Sequence, residues 1–235
     1  MPLYLLPNVF ADDQPTHLLL PEGLNSLVAT LDGLIAESER TGRRYLMKLL
    51  EKAPLARQMP IYLLNEHSKQ DDYKALSDLI SSGKTFGLIS DAGMPGIADP
   101  GSRLVKLLRK MGCSQIRAIP GPSSVILALI SSGLVSTPFT FHGYAPKEPD
   151  QRKKLLKRIE REEGTHIFIE APYRNRVLFS DCLATLSPST RLCLAANMTL
   201  KDEWVLVRTI QAWKTAPQPE IHKVPIVFLI QPLFG

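Results

Sequence analysis

The sequence predicts an α/β protein of two domains, an N-terminal parallel α/β domain over residues 1–119 and a C-terminal mixed-sheet α/β domain over residues 120–235. Three observations predict it. Short apolar runs alternate with segments of helical periodicity from Leu3 to Ile119, the pattern of parallel strands joined by crossover helices. The chain changes character between Pro120 and Phe139, and the later apolar runs Trp204 to Ile210 and Val224 to Ile230 suit strands of a mixed sheet. A loop dense in glycine, proline and aspartate, Ser90 to Gly101, follows the apolar run Phe86 to Ile89. Open parallel sheets hold ligands at such carboxyl ends, and the ligand site is expected between the two halves.

In chain order, Leu3-Tyr4-Leu5-Leu6, closed by Pro7, is the first expected strand. Leu24 to Leu31 reads as a short helix after the break at Pro21-Glu22-Gly23. Leu34-Ile35-Ala36 is the second strand and ends at Glu37-Ser38-Glu39-Arg40-Thr41. A helix over Thr41 to Lys52 follows, with Arg40, Arg44, Lys48 and Lys52 at four-residue intervals on one face. Such a stripe is a solvated helix face or a surface for phosphates. The third strand, Ile61 to Leu64, runs into Asn65-Glu66-His67-Ser68. A Glu–His pair at the end of a strand can do acid–base work or form a structural cluster before the helix at Asp71 to Ser82. Phe86 to Ile89 and Ile116 to Ile119 are further strands, with a helix over Ser102 to Met111 between them.

Ser90 to Gly101 holds three glycines, two prolines and two aspartates. Glycine lets the backbone approach a ligand closely or turn with positive φ, and proline stiffens the loop. Pro120-Gly121-Pro122-Ser123-Ser124 opens a helix through Ile130. Its serines lie at a helix N-terminus, where hydroxyls cap and free N–H groups bind polar atoms. Beyond it, Lys147 to Arg161 is a basic helix carrying Arg152, Lys153, Lys154, Lys157, Arg158 and Arg161. His166 to Glu170 is a strand ending in Ala171-Pro172-Tyr173-Arg174, Val177 to Leu186 a helix, and Arg191 to Ala195 a strand.

The 235 residues are 44% hydrophobic and 22% charged, the balance of a globular protein with a real core. The formal net charge of +5 is compatible with a nucleic-acid partner without requiring one. Cys113, Cys182 and Cys193 match neither a zinc spacing nor a disulfide framework, so a reducing compartment is expected. No basic-then-apolar leader opens the chain, and no apolar stretch reaches the roughly eighteen residues of a membrane span. The expectation is a cytoplasmic protein with no membrane partner.

Ser90 to Gly101 resembles the S-D-A-G-x-P-x-x-x-D-P-G signature of the tetrapyrrole (corrin/porphyrin) methylase superfamily. Within it the chain is most similar to the branch of 16S ribosomal RNA (cytidine) ribose 2′-O-methyltransferases. Ala36 to Arg40 resembles that branch's A-E-D-T-R, Glu66-His67 part of its H-E-H-N, and Pro120 to Ser124 its P-G-x-S/T-A/S. Phe139 to Pro146 resembles F-x-G-F-x-P, and Glu170, Pro172 and Arg174 match E-S-P-x-R. Thr199 and Glu203 correspond to R-E-L-T-K-x-x-E, with Asn197-Met198 where that motif has Arg-Glu. Residues 7–13 lack the glycine of T-P-x-G-N-L-x-D. No G-x-G-x-G follows the first strand, which disfavours the ordinary Rossmann methyltransferase.

The resemblance implies the two-domain fold of that family with a cofactor cleft between the domains, S-adenosylmethionine as cofactor, and a homodimer. The implied partner is ribosomal RNA or the small ribosomal subunit. Cofactor binding falls to Ser90, Asp91, Ala92, Gly93, Met94, Pro95, Asp99, Gly121, Ser123 and Ser124, and substrate binding to Arg40, Arg44 and Arg174. With an RNA substrate the helix over 147–161 reads as an RNA contact or as a surface helix with a narrow buried stripe. Methyl transfer from a sulfonium requires alignment and exclusion of water and no metal. A ribose hydroxyl must also lose its proton, for which Glu66 or His67 is the candidate, with Glu37 second. Two other readings stand beside this one. A methylase of a tetrapyrrole or other small acceptor is suggested by the altered first loop and by the C-terminal helical region of that branch, which has no counterpart here. A non-catalytic cofactor- or RNA-binding protein is suggested by residues 7–13 and 197–198.

Overall fold

The computed structural model describes residues 2–50 and 53–233, and the chain divides into two compact units at Ser123/Ser124. The first unit runs β1 (Leu3–Leu5), α1 (Thr16–Leu19), α2 (Leu24–Val28), β2 (Gly33–Ala36), α3 (Glu39–Leu49), α4 (Ala53–Gln58), β3 (Ile61–Leu63), α5 (Gln70–Ser81), β4 (Phe86–Leu88), α6 (Gly101–Lys110) and β5 (Ile116–Ala118). Its five strands are all parallel, in the order β3-β2-β4-β1-β5.

Alternate residues of these strands feed two separate cores, as a pleated strand buried on both faces requires. Leu34, Ala36 and Ile89 pack with Leu24, Val28, Tyr45 and Leu46 from α2 and α3. Ile35, Phe86 and Leu88 pack with Tyr73, Leu76 and Ile80 of α5 and Leu104 and Leu108 of α6. The connections from β1 and β2 therefore cover one face, and those from β3 and β4 the other. The chain leaving β4 turns away from the chains leaving both neighbours, β2 and β1. That divergence opens space at the carboxyl ends of the strands, where Ser90 to Pro100 lies.

Ser38 caps α3, its Oγ accepting the Thr41 N–H at 3.1 Å, so the helix starts at Glu39, two residues before the expected Thr41. It ends at Leu49, and α4 follows as a separate helix, with Pro54 in its first turn, where the missing N–H costs nothing. Lys52 lies outside the described residues. Helices α1 and α4 go beyond the sequence-based expectation.

The second unit runs α7 (Ser124–Ser132), β6 (Phe139–Tyr144), α8 (Pro149–Ile159), β7 (Thr165–Ile169), a 3-10 turn (Pro172–Arg174), α9 (Asn175–Thr185), β8 (Arg191–Ala196), β9 (Trp204–Thr209), α10 (Ile210–Thr215) and β10 (Ile226–Gln231). Its sheet is mixed, in the order β6-β7-β10-β8-β9, with only β6 and β7 parallel. One face buries Phe168, Leu194 and Phe228 against Leu156, Phe179 and Trp213 of α8, α9 and α10. The other buries Ile167, Cys193 and Val227 against Val125 and Leu129 of α7. The Trp213 indole N–H donates to the Leu192 carbonyl at 2.8 Å, which seats α10 on the sheet. The strand expected over Trp204 to Ile210 stops at Thr209, because the Thr209 hydroxyl accepts the Ala212 N–H and starts α10.

The basic helix expected over Lys147 to Arg161 is α8, and it carries one cation fewer on its surface than its sequence suggests. Arg152 is 3% exposed. Its guanidinium holds Asp181 at 2.6 Å and donates to the Pro146 and Lys147 carbonyls. A buried cation needs such a full set of partners. No helix among the described residues is long and apolar enough to cross a membrane.

Candidate cofactor loop and the cationic cavity beside it

The loop after β4 is held in one conformation by three polar side chains, each from a different part of the first unit. Asn8, just past β1, donates through Nδ2 to the carbonyls of Ser90 at 3.0 Å and Asp91 at 3.2 Å. Its own backbone forms a two-bond bridge with Gly93. Glu37, just past β2, accepts the Ser90 hydroxyl and the Asp91 N–H at its Oε1, both at 3.0 Å. The adjacency of β2 and β1 to β4 makes these contacts possible, although the residues are distant in sequence.

Asp99 closes the loop from within. Its two oxygens accept the N–H groups of Gly96 at 2.6 Å and Gly101 at 2.7 Å. Burial pushes the Asp99 carboxyl above the usual carboxylate range, and the N–H groups of Gly101, Gly96 and Ile97 pull it back down. Gly93 adopts φ +70°, and a Cβ there would lie 2.9 Å from the Phe10 ring and 3.3 Å from the Pro122 carbonyl. Gly121 is tighter: a Cβ would lie 2.0 Å from Cβ of Pro7 and 3.0 Å from the Met94 sulfur. Glycine at 121 is what lets the chains after β1, β4 and β5 meet.

These bonds alter how the loop can hold a ligand. The sequence suggests main-chain contacts along Asp91 to Pro95, but the N–H and C=O of Asp91 and Gly93 already bond Asn8 and Glu37. Within Asp91 to Pro95, the exposed residues are Asp91 and Ala92. Ser90, Gly93 and Pro95 are buried. The loop is thus organised before any ligand arrives, which lowers the ordering cost of binding. A carboxylate beside a small methyl side chain fits a cofactor carrying positive charge and hydroxyls, such as S-adenosylmethionine. Ser123 is half-buried at the end of the first unit, and Ser124 opens α7 of the second.

The acid–base candidates separate. Only Glu37 touches the loop. Glu66 and His67, beyond the edge strand β3, are 85% and 87% exposed, with 3.7 Å between the carboxylate and the imidazole. Of the substrate candidates, Arg40 is exposed. Arg174 is engaged within the second unit, pairing with Glu170 at 3.2 Å and donating to the carbonyls of Ala145 and Pro146.

Arg44 lies on the rim of a cavity of about 120 Å³ that also borders Asn8, Thr41, Tyr45, Lys48 and Asp91. Arg44 pairs with the Asp12 carboxylate at 2.5 Å, and Lys48 donates to the Asp12 carbonyl at 2.8 Å. Tyr45 is 3% exposed, and its hydroxyl has no hydrogen-bond partner among the described residues. Burial pushes that hydroxyl's pKa up. Sequence reasoning missed Asn8, Thr41 and Tyr45. No local pattern marks them, and only the fold brings them to the loop.

Comparison with known proteins places this geometry in context. A family model described as Tetrapyrrole (Corrin/Porphyrin) Methylases matches residues 25–213. The chain is 34% identical over 208 residues to a protein of Xylella fastidiosa named ribosomal RNA small subunit methyltransferase I, covering 87% of this chain and 73% of that one. It is 29% identical to the Bacillus subtilis protein of the same name, covering 88% and 67%. With the Halalkalibacterium halodurans protein it shares 37% identity over 180 residues, which is 77% of this chain and 60% of that one. Among solved structures, the methyltransferase CobJ superposes with a TM-score of 0.67 at 14% identity, covering 98% of this chain and 94% of the other. Uroporphyrin-III C-methyl transferase from Thermus thermophilus, complexed with S-adenyl homocysteine, superposes with a TM-score of 0.58 at 14% identity, covering 98% and 97%. At such identities these structures speak for the fold alone.

Proposed function

Since the chain belongs to the tetrapyrrole (corrin/porphyrin) methylase family, we propose that it transfers the methyl group of S-adenosylmethionine to a ribose 2′-hydroxyl of small-subunit ribosomal RNA. The observation that carries this reading is the loop after β4, whose signature residues are held by Asn8, Glu37 and Asp99 with Asp91 and Ala92 exposed. The RNA acceptor is supported by the names of the relatives and by the cations beside that loop. The chain spans 60–73% of the length of those three relatives.

The cofactor, when bound, supplies a methyl carbon already activated by a positive sulfur. The chain's own residues supply position. Asp91 offers its carboxylate to the cofactor's charge or hydroxyls, and Ala92 leaves room for close approach. Glu37 is a positioning residue: its Oε1 fixes Ser90 and Asp91. Glu66 and His67, 3.7 Å apart beyond β3, are the candidates to take the ribose proton, with Glu37 second. The exposed Arg40 contacts the RNA backbone, whereas Arg174 is engaged by Glu170 inside the second unit. The same reading expects a homodimer, which a monomer mass by light scattering would contradict.

The test is to incubate the protein with unmodified small ribosomal subunits and radiolabelled S-adenosylmethionine, then digest to nucleosides. Label in a 2′-O-methylnucleoside is expected. Label only with a tetrapyrrole or other small acceptor, or cofactor binding with no transfer to any acceptor, would overturn the RNA assignment.

A further inference from the structure

Residues 8–14 bridge two functional elements of the first unit. At one end Asn8 grips the loop after β4. At the other, Asp12 lies across α3, its carboxylate on Arg44 and its carbonyl on Lys48. Between them the segment is braced internally, because the buried Gln14 accepts the N–H groups of Phe10 at 2.7 Å and Ala11 at 3.0 Å. The segment therefore presents Asp12 to α3 as a fixed anion.

We propose that Asp12 is a built-in stand-in for an RNA phosphate, and that a backbone phosphodiester displaces it from Arg44 and Lys48 at the mouth of the cavity. A phosphodiester carries the same single negative charge as the Asp12 carboxylate, so it can take that carboxylate's place on Arg44. The planar guanidinium matches phosphate oxygens as well as carboxylate oxygens. Lys48 gains most, since among the described residues its full charge meets a neutral carbonyl. The contact is breakable: the side chains of Arg44 and Asp12 are 43% and 59% exposed, and solvent-exposed pairs are weak. Behind the rim, Thr41 and Tyr45 line the cavity, and the unpartnered Tyr45 hydroxyl is a buried donor that a nucleotide entering behind its phosphate would satisfy.

This inference rests on the RNA reading above. It predicts that Asp12 weakens RNA binding although it lies at the binding surface. The test is RNA affinity measured by fluorescence anisotropy, with a labelled unmodified transcript of small-subunit ribosomal RNA as probe. Asp12→Asn should tighten binding roughly two- to fivefold, the range an exposed ion pair contributes, and the gain should shrink as salt is raised. Asp13→Asn makes the same change in net charge one residue away, outside the Arg44 and Lys48 bonds, and should gain less. Arg44→Gln should weaken binding, and adding Asp12→Asn to it should gain no more than Asp13→Asn does, since the pair's coupling is then gone. Binding by the unsubstituted protein with no gain in Asp12→Asn, an equal gain in Asp13→Asn, or an undiminished gain in the Arg44→Gln background would overturn the proposal. Absence of RNA binding by every variant would instead remove the RNA reading itself, and this inference with it.

Discussion

Replacing Asn8 by alanine tests whether the chain after β1 organises the loop after β4. The substitution removes two hydrogen bonds donated by Nδ2, to the Ser90 carbonyl at 3.0 Å and the Asp91 carbonyl at 3.2 Å, and one accepted from the Val9 N–H at 2.9 Å. The backbone bridge to Gly93 survives. Each lost bond contributes about 0.5–1.5 kcal/mol net. The Ser90 contact is fully buried and stands at the top of that range; the Asp91 carbonyl is partly buried, and water replaces part of its bond. The expected loss is about 2 kcal/mol of stability, read by urea denaturation with an unchanged slope. The loop also loses its fixed conformation, so S-adenosylhomocysteine affinity should fall roughly tenfold in calorimetry. A variant within about 0.5 kcal/mol of the parent that binds the ligand equally well would refute the role assigned to Asn8.

Gly121→Ala should cost about 3 kcal/mol, because overpacking against the rigid Pro7 ring has no cheap relaxation and the new Cβ would lie 2.0 Å from Pro7; thermal unfolding reads it, and a melting temperature unchanged from the parent would contradict the close approach. Glu37→Gln keeps an acceptor for Ser90 and Asp91 and should retain cofactor binding and most turnover, whereas Glu37→Ala should lose both; turnover abolished in Glu37→Gln with binding intact would make Glu37 the base instead. His142 is held at a pKa of about 4, below its ordinary 6.5, first by burial and then by His166 and Arg158, with Glu162 opposing. Between those values the unfolded chain binds a proton that the folded chain refuses, so stability is full above about 6.5 and falls as pH drops toward 4. His142→Gln should flatten that part of the stability–pH curve, and an unchanged slope would contradict the assignment.

Much of the fold is legible because its strands are apolar runs buried on both faces, as at Leu34–Ala36 and Phe86–Leu88. The helices α1, α4 and α10 are not, since four to six residues carry too little periodicity to register. The signature loop is legible because glycine, proline and aspartate announce a shaped turn. Its supports are not. Asn8 is 82 residues from Ser90 in sequence, and nothing local distinguishes it from any loop asparagine. Charge patterning misled at Arg152: its partner Asp181 lies on another helix, so sequence alone counts it as a surface cation. Arg174 is likewise drawn inward, by Glu170 four residues before it, a spacing that sequence could have flagged.

The central claim is that the loop after β4 is the cofactor site, and calorimetric titration with S-adenosylhomocysteine tests it most directly, using the parent protein and Gly93→Val. At φ +70° with Phe10 2.9 Å from the added Cβ, valine cannot keep the loop's shape. The parent should bind near the micromolar range, and a folded Gly93→Val should not bind. Binding of equal affinity in both, or no binding by the parent, would contradict that claim.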